Sequence, residues 1–199
     1  LKLVDSSRVE VQYTLFDDVI SSDFAAAGYD GVIQHGKKRP KSHPLGNATF
    51  WKRDKFSMVN GFDKSRTVGT LLKESNIETG RIVAVINVHL EGHPTQTALR
   101  AKQLQSSLYK LRSLPHHAVI VAGDFNCPLF SSASCTYLSS KCVPADNNIL
   151  EWGEPLTAEA SEIPAHDYSM SSVYPRSAEE TRKNCTYVRT PMENEDDVP

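Results

Sequence analysis

A carboxylate and an amide stand two residues apart directly after an apolar run. Residues 118–122 are Ala-Val-Ile-Val-Ala, small or β-branched types that predict a buried strand. Gly123 interrupts this pattern, and Asp124 and Asn126 follow it on alternate positions. An Asp can bind a metal or orient a water, and an Asn can donate to a phosphoryl oxygen without adding negative charge. The same residues also fit a simple Asx-type turn after a strand, so their types alone favour neither interpretation.

A second apolar run, residues 81–90, carries a histidine near its end. Asn87 and His89 share one face of this predicted strand, because side chains alternate with a period of two residues. A single histidine at a strand end is more often structural than catalytic. Two buried strands with polar ends, one bearing His89 and the other Asp124 and Asn126, are a much less common coincidence and therefore favour a functional site.

A helix is predicted between these two strands. Residues 93–97, His-Pro-Thr-Gln-Thr, offer Pro and Thr for its first turn, and the helix ends before Pro115. Apolar residues recur at helical spacing, whereas Arg100 falls on another face. A strand–helix–strand order brings its two strands side by side in one sheet. We therefore expect the polar ends of both strands to meet at one edge of that sheet.

These residues resemble the core of the endonuclease/exonuclease/phosphatase superfamily. The resemblance is specific in two blocks, Asn-Val-His-Leu at residues 87–90 and Gly-Asp-Phe-Asn at residues 123–126, with Arg100 and Gln103 on the helix between them. Weaker similarity covers residues 28–31, 46–52, 55–56 and 166–174. The first three of these segments are similar to the deadenylase branch, which includes the carbon-catabolite-repressor nucleases, nocturnin, the angel proteins and the 2′,5′-phosphodiesterases.

The resemblance implies a role for each polar residue of the two blocks. Asp124 would orient or deprotonate the attacking water or bind a metal, Asn126 would hold the scissile phosphate, and His89 would contact the phosphate or assist proton transfer. Three further residues would contact the substrate or shape its pocket: Asn47, Asn87 and His93. For His93, a role at the start of the helix is the alternative.

The same resemblance implies a divalent metal, Mg²⁺ or Mn²⁺, because the family uses a hard cation that prefers oxygen ligands. Asp124 is one candidate ligand, and an acidic residue near the start of the chain is the other. Glu10 keeps the side chain that the family has there, at a suitable distance from Gly28, whereas Asp5 follows the better strand but has the shorter side chain. Glu10 is the preferred candidate, and Asp5 is the alternative.

The implied fold is α/β (α+β): a two-layer β-sandwich flanked by helices, in a four-layer α/β/β/α arrangement. A chain of 199 residues with 39% apolar content can form one such core, so we expect a single domain over residues 1–199. The family's first Asn block and its terminal Ser-Asp-His block are not found in the sequence. We therefore expect a truncated domain, incomplete at both ends, with an acidic loop or tail at residues 192–199.

Local patterns predict the remaining elements. We expect a hairpin from residues 68–73 and 81–90, a strand at 48–52, and short helices at 16–27 and 131–138. Residues 151–163 are mixed in composition, which predicts a loop.

Charge and cysteine content restrict the function only weakly. The formal net charge of −2 does not indicate nucleic-acid binding, and the basic stretch at residues 34–43 either lines the path of a phosphate-bearing substrate or is a solvated loop. The four cysteines, at 127, 135, 142 and 185, lack the Cys-x-x-Cys spacing of a zinc site. Free thiols in the cytoplasm or nucleus are the simpler expectation, and a disulfide among the first three is the alternative. No apolar stretch is long enough to span a membrane.

Three functions are compatible with these residues. The first is a divalent-metal phosphodiester hydrolase that acts as a 3′→5′ exoribonuclease on poly(A)-like RNA, and the deadenylase-like segments favour it. The second has the same fold and metal chemistry but acts on DNA, a 2′,5′-linked or dinucleotide substrate, an inositol phosphate or sphingomyelin. The third is an inactive, truncated domain that serves as a binding module.

Overall fold

The structure, a computed structural model, describes residues 10–34, 45–75, 80–128, 132–144, 150–151, 154–155 and 158–172. The predictions for Asp5, Cys185, the acidic segment 192–199 and most of the basic stretch 34–43 fall outside these residues. Within them, no helix is long and apolar enough to cross a membrane.

The first sheet contains three strands and is covered on one face by helical turns. Its strands are β1 (Glu10–Gln12), β2 (Tyr29–Ile33) and β3 (Leu45–Lys52), antiparallel in the order β1-β3-β2. Between β1 and β2 the chain forms α1 (Tyr13–Leu15), a π-helical turn (Phe16–Ile20) and α2 (Ser21–Ala26). Phe16 packs with Ala48 and Phe50 of β3, so these turns bury one face of the sheet. The helix predicted at 16–27 is confirmed, and the helical turns begin at Tyr13.

The second sheet joins three antiparallel strands to a fourth, parallel strand. Its strands are β4 (Phe56–Lys64), β5 (Thr67–Glu74), β6 (Ile82–His89) and β7 (Ala118–Asp124), in the order β4-β5-β6-β7. The helix α3 (Thr97–Leu111) connects β6 to the parallel β7, as the strand–helix–strand pattern predicts. The pairing of β5 with β6 confirms the predicted hairpin.

The two sheets pack face to face, because successive side chains of a strand point to opposite faces and the apolar side chains of the two inner faces meet. Trp51 of β3 lies with Leu72 of β5 and Val85 of β6 in one buried cluster. A buried amide also connects the sheets, since Asn87 Nδ2 donates to the Ala48 carbonyl oxygen at 2.8 Å. This arrangement is the predicted two-layer sandwich.

Helices cover the outer face of the second sheet. There α3 packs together with α4 (Ala133–Ser140), which is the helix predicted at 131–138, and with α5 (Ala158–Ser161). One core cluster combines buried residues of these helices and of the sheet: Leu71, Ala84, Ile86, Val88, Ala101, Leu104, Leu108, Ala133, Tyr137 and Ala160. The resulting order of helical turns, sheet, sheet and helices is the predicted four-layer α/β/β/α arrangement.

Short regular elements occur after α4, where the sequence predicts a loop. The strand β8 (Leu150–Glu151) pairs antiparallel with β9 (Glu154–Pro155), and α5 follows. The loop prediction for residues 151–163 is therefore wrong in part. These elements are too short to form by local propensity. They are held instead by tertiary contacts, because Ala160 and Ile163 are buried in the core.

We expect Asn87→Ala to lower the free energy of unfolding by about 1–3 kcal/mol, because it leaves the buried Ala48 carbonyl without its donor. Urea denaturation measures this loss. The matched control is Asn60→Ala on the edge strand β4, where the amide oxygen accepts the Gly61 N–H in an exposed position. Equal losses in the two variants would contradict a specific contribution from the hydrogen bond between the sheets.

Residues 164–172 have no regular secondary structure, and His166 attaches them to α4. Its Nε2 donates to the Tyr137 carbonyl oxygen at 2.8 Å, and its Nδ1 accepts the Tyr168 N–H at 3.2 Å. One donating and one accepting nitrogen require the neutral ring. Burial lowers the pKa of His166 below its ordinary value.

This buried ring makes stability depend on pH. The pKa of His166 is lowered in the folded state, so the unfolded chain binds the proton more readily than the folded protein does. The free energy of unfolding therefore decreases as the pH falls below 6.5. We expect the melting temperature to decrease more steeply between about pH 7 and pH 5 for the wild-type protein than for His166→Gln. Thermal melts followed by circular dichroism measure this difference, and parallel pH profiles would contradict it.

Candidate active site

The strands β6 and β7 end together, and this brings His89 to Asp124. The parallel register pairs Val88 with Gly123 and His89 with Asp124. The Leu90 N–H then donates to the Asp124 carbonyl oxygen at 2.8 Å. The expected proximity of the two strand ends is confirmed. His89 is half-buried and Asp124 is exposed, so the pair lies at an accessible rim of the sandwich.

Gly123 allows the two strands to stay paired to their last residues. Its φ of +131° lies where residues with side chains rarely occur, and a Cβ at this position would overlap the Val88 carbonyl oxygen. The sequence pattern predicts that the strand ends before Gly123, whereas this residue belongs to β7. The strand continues to Asp124 because the missing side chain permits the close approach of the two backbones.

Asn126 is held in a fixed orientation by both strands. Its backbone N–H donates to Asp124 Oδ1 at 2.9 Å, and its Nδ2 donates to the Leu90 carbonyl oxygen at 2.9 Å. Its φ of +49° is left-handed, a conformation that Asn adopts more readily than most residues. The Asx turn of the simpler interpretation is thus present, and this turn fixes the amide beside the carboxylate.

The first sheet reaches the same rim through Asn47, which bonds to the carbonyl group of Arg66 in the turn between β4 and β5. This oxygen accepts the His89 N–H at 3.0 Å and Asn47 Nδ2 at 3.1 Å. Asn47 of β3 is in turn paired in register with Glu10 of β1. The Arg66 carbonyl oxygen therefore joins Asn47 of the first sheet to His89, which pairs with Asp124.

Asn47 and Asn87 are buried, and their amide groups join the two sheets. Asn87 is 4% exposed and Asn47 is 7% exposed, and each donates to a backbone carbonyl of the opposite layer. Gln34 does the same, since its Nε2 donates to the Lys64 carbonyl oxygen. The substrate contacts implied for Asn47 and Asn87 stay predictions. The contacts observed for these residues are structural.

His93 lies in the exposed loop that follows β6. Its Nδ1 is 2.9 Å from Thr95 Oγ1, a contact that supports a role at the start of α3. The His93 N–H donates to Glu91 Oε1 at 3.3 Å, and this bond is the main cause that lowers the pKa of Glu91. The loop passes close to Asn126 at Gly92, where a Cβ would lie 3.6 Å from Asn126 Nδ2. The loop therefore forms one wall of the candidate site.

A buried ion pair fixes this loop in position. Arg100 of α3 and Glu151 of β8 are both fully buried, and Arg100 Nε donates to Glu151 Oε1 at 3.0 Å. The guanidinium group also donates to three carbonyl oxygens of the loop, at 3.0, 2.7 and 3.0 Å: those of Glu91, His93 and Pro94. Arg100 therefore determines the path of the chain between His89 and α3.

Sequence patterns do not reveal this pair. Helical periodicity assigns Arg100 to a polar face, and Glu151 falls in the predicted loop. The two residues are 51 positions apart, so no local pattern contains their contact. Glu151 Oε2 also accepts the Ala133 N–H at 2.8 Å, which connects the pair to the start of α4.

Two solved structures have a similar fold. ANGEL2, a 2′,3′-cyclic phosphatase in complex with adenosine-2′,3′-vanadate, aligns with a TM-score of 0.56 and 21% identity over 77% of this chain and 46% of its own. The human Nocturnin catalytic domain with bound sulfate aligns with a TM-score of 0.51 and 18% identity over 63% of this chain and 53% of its own. This chain shares its fold with these two structures. It spans about half the length of the chains that it matches. Neither the protein-family models nor the curated proteins gave a match.

At the rim, a carboxylate side chain offers its oxygens to a cation. Asp124 is exposed there, and for Glu10 the structure gives the backbone pairing of β1 with Asn47. Such oxygens suit a hard divalent ion. In the part of the chain that the structure describes, no group of three or more His, Cys, Asp or Glu side chains could hold an ion.

Removing one member of the Arg100–Glu151 pair leaves the charge of the other buried without compensation. We expect Arg100→Met and Glu151→Met each to lower the free energy of unfolding by about 3–5 kcal/mol, and the double variant to lose less than the sum. Urea denaturation measures this coupling. The control is Lys102→Met in the same helix as Arg100, which breaks the exposed pair of Lys102 with Glu159 of α5 and is expected to change stability by at most about 0.5 kcal/mol. Strictly additive losses would contradict the coupling.

Proposed function

We propose that this protein is a divalent-metal-dependent phosphodiester hydrolase that acts as a 3′→5′ exoribonuclease on poly(A)-like RNA. The observation that carries the proposal is the register that pairs His89 with Asp124, together with the hydrogen bonds that fix Asn126 beside them. The two similar structures support the hydrolysis of a phosphate ester, because ANGEL2 holds adenosine-2′,3′-vanadate and Nocturnin holds a sulfate anion. Vanadate and sulfate are negatively charged, as a phosphate group is.

Each rim residue has the hydrogen-bonding capacity that its proposed role requires. An amide nitrogen carries two hydrogens, so Asn126 Nδ2 can donate one to Leu90 and the other to a phosphoryl oxygen. A carboxylate that accepts one N–H keeps lone pairs on both oxygens, so Asp124 can also orient or deprotonate a water. His89, on the adjoining strand end, would contact the phosphate or assist proton transfer. Asn47, Asn87 and His93 would shape the pocket or contact the substrate.

Glu10 and Asp124 are the residues that we propose hold the Mg²⁺ or Mn²⁺ ion. When bound, such an ion neutralises charge on the phosphate and stabilises the charge that develops during its hydrolysis.

A second candidate activity is the hydrolysis of a 2′,3′-cyclic phosphate at an RNA end. The similarity to ANGEL2, a 2′,3′-cyclic phosphatase, favours it. This reaction also breaks a phosphodiester bond and would use the same residues, so substrate comparison separates the two activities. DNA, 2′,5′-linked nucleotides, inositol phosphates and sphingomyelin are the other substrates to compare.

The proposal predicts Mg²⁺-dependent shortening of a 5′-labelled RNA that ends in a run of adenosines, followed by gel electrophoresis. Parallel reactions contain a DNA oligomer, a 2′,5′-linked oligoadenylate, an RNA with a 2′,3′-cyclic phosphate end, inositol phosphates and sphingomyelin. EDTA is expected to stop the reaction, and added Mg²⁺ to restore it. Faster opening of the cyclic phosphate than removal of adenosines would favour the second candidate.

In the same assay, Asp124→Asn and Asn126→Ala are each expected to lower kcat by about 100-fold or more. The control is Asp167→Asn. Asp167 is an exposed carboxylate that pairs with Arg112 at 3.0 Å, just beyond the end of α3, and it is remote from the rim. It should leave kcat unchanged. A near-normal kcat in either rim variant would contradict the site. RNA binding with no hydrolysis of any substrate would identify a binding module instead.

A further inference from the structure

Arg66 extends the row of rim residues that His89 and Asp124 begin. It directly precedes β5, and its carbonyl oxygen accepts the His89 N–H at 3.0 Å. The antiparallel pairing of Thr67 with Val88 therefore continues one residue further, to Arg66 and His89. On its other side, His89 is paired with Asp124 of β7. Residues directly opposite in neighbouring strands carry their side chains on the same face, so Arg66, His89 and Asp124 form one row.

The side chains of this row lie on the face that is turned towards the first sheet. Thr67, the residue after Arg66, has its Oγ1 at 2.6 Å from Ser107 Oγ of α3, on the face that the helices cover. Successive side chains alternate, so Arg66 belongs to the opposite face. Asn87 lies two residues before His89 and donates to a carbonyl oxygen of the first sheet. The faces of Arg66 and His89 therefore agree.

The loop that forms one wall of the site orients the Arg66 guanidinium group. Arg66 Nη2 donates to Glu91 Oε2 at 3.3 Å. The Glu91 N–H in turn donates to Gln103 Oε1 at 3.0 Å, which connects this part of the loop to α3. The next residue, Gly92, is where the loop passes close to Asn126. The ion pair therefore adjoins the amide that would hold the scissile phosphate.

The pair of Arg66 and Glu91 is open to solvent and leaves donors available to a ligand. The side chain of Arg66 is 38% exposed and that of Glu91 is 26% exposed. An ion pair at this level of exposure contributes little to stability, so a substitution of Arg66 tests binding rather than folding. A guanidinium group carries several N–H donors in a planar fork, and Glu91 accepts from Nη2 alone. The other donors can reach the oxygens of a phosphate group together.

We propose that Arg66 binds the phosphate of the 3′-terminal linkage of the RNA, the linkage that the exonuclease would cleave. This inference rests on the proposed function. Asp124 brings negative charge to the rim and Asn126 is neutral, whereas an arginine stays protonated at every physiological pH. Arg66 therefore supplies a fixed positive charge to an anionic substrate, with the charge-assisted hydrogen bonds that a guanidinium group makes to phosphate. Glu91 is a positioning residue, because it acts through Arg66.

The test measures RNA binding by fluorescence anisotropy in EDTA, so that hydrolysis does not consume the probe. Two fluorescein-labelled RNAs end in the same run of adenosines, with a 2′-deoxyadenosine before the last linkage. That linkage is a phosphodiester in one RNA and an uncharged methylphosphonate in the other. We expect Arg66→Met to weaken binding of the phosphodiester RNA about 10-fold and binding of the methylphosphonate RNA by less than about 2-fold. The slope of log Kd against log salt concentration is expected to fall by about 0.7 for the phosphodiester RNA, since one phosphate contact is lost.

Three further variants separate a direct contact from an effect on the loop. The matched control is Arg53→Met, which breaks another exposed ion pair, with Asp30 at 2.8 Å, beyond the end of β3 that is remote from Asn47. It is expected to bind both RNAs as the wild type does. Arg66→Lys keeps the charge without the planar fork and is expected to retain part of the preference for the phosphodiester. Glu91→Gln keeps Arg66 and is expected to lose less affinity than Arg66→Met. Thermal melts establish that each variant folds.

Three results would overturn the proposal. The first is the same loss of affinity for both RNAs, or no loss, in Arg66→Met. The second is a loss in Glu91→Gln as large as that in Arg66→Met, because Arg66 would then act only by holding the loop. The third is RNA binding by the wild type that is too weak to measure. The anisotropy needs no hydrolysis, so the expected binding differences in a protein that cleaves no substrate would count against the proposed function alone.

Discussion

The strands β6 and β7 stay paired up to His89 and Asp124, and the arrangement of the rim depends on this register. A shift of one residue would turn a whole strand's side chains to the opposite face and separate the imidazole from the carboxylate. Gly123 makes the register possible, because a residue with a Cβ would overlap the Val88 carbonyl oxygen. Asn126 then completes the rim by bonding back to both strands.

Buried polar groups hold this rim in place. Apolar side chains bring the four layers together, but they have little directional preference. Hydrogen bonds supply the direction: amide side chains reach backbone carbonyl groups across the sandwich, and the Arg100–Glu151 pair does so for the loop after β6. A buried donor or charge that loses its partner lowers the free energy of unfolding, so each of these groups restricts its neighbours to few positions.

Local sequence patterns are sufficient for the elements nearest the site. The apolar runs at 81–90 and 118–122, with the helical periodicity between them, predict β6, α3 and β7 and their order in the sheet. The patterns fail at Arg100 and over residues 151–163. Burial there depends on contacts with distant parts of the chain, and a periodicity measured over a few turns carries no information about such contacts.

The sequence by itself determined which chemistry the rim can offer, an imidazole, a carboxylate and an amide at the ends of two buried strands. It also determined that these strands adjoin, because a strand–helix–strand connection leaves few other arrangements. Only the tertiary structure decided that Asn47 and Asn87 donate between the sheets, and that Glu10 pairs in register with Asn47. These are contacts between separate elements, and their free energy depends on burial and direction, which exist only once the layers are packed.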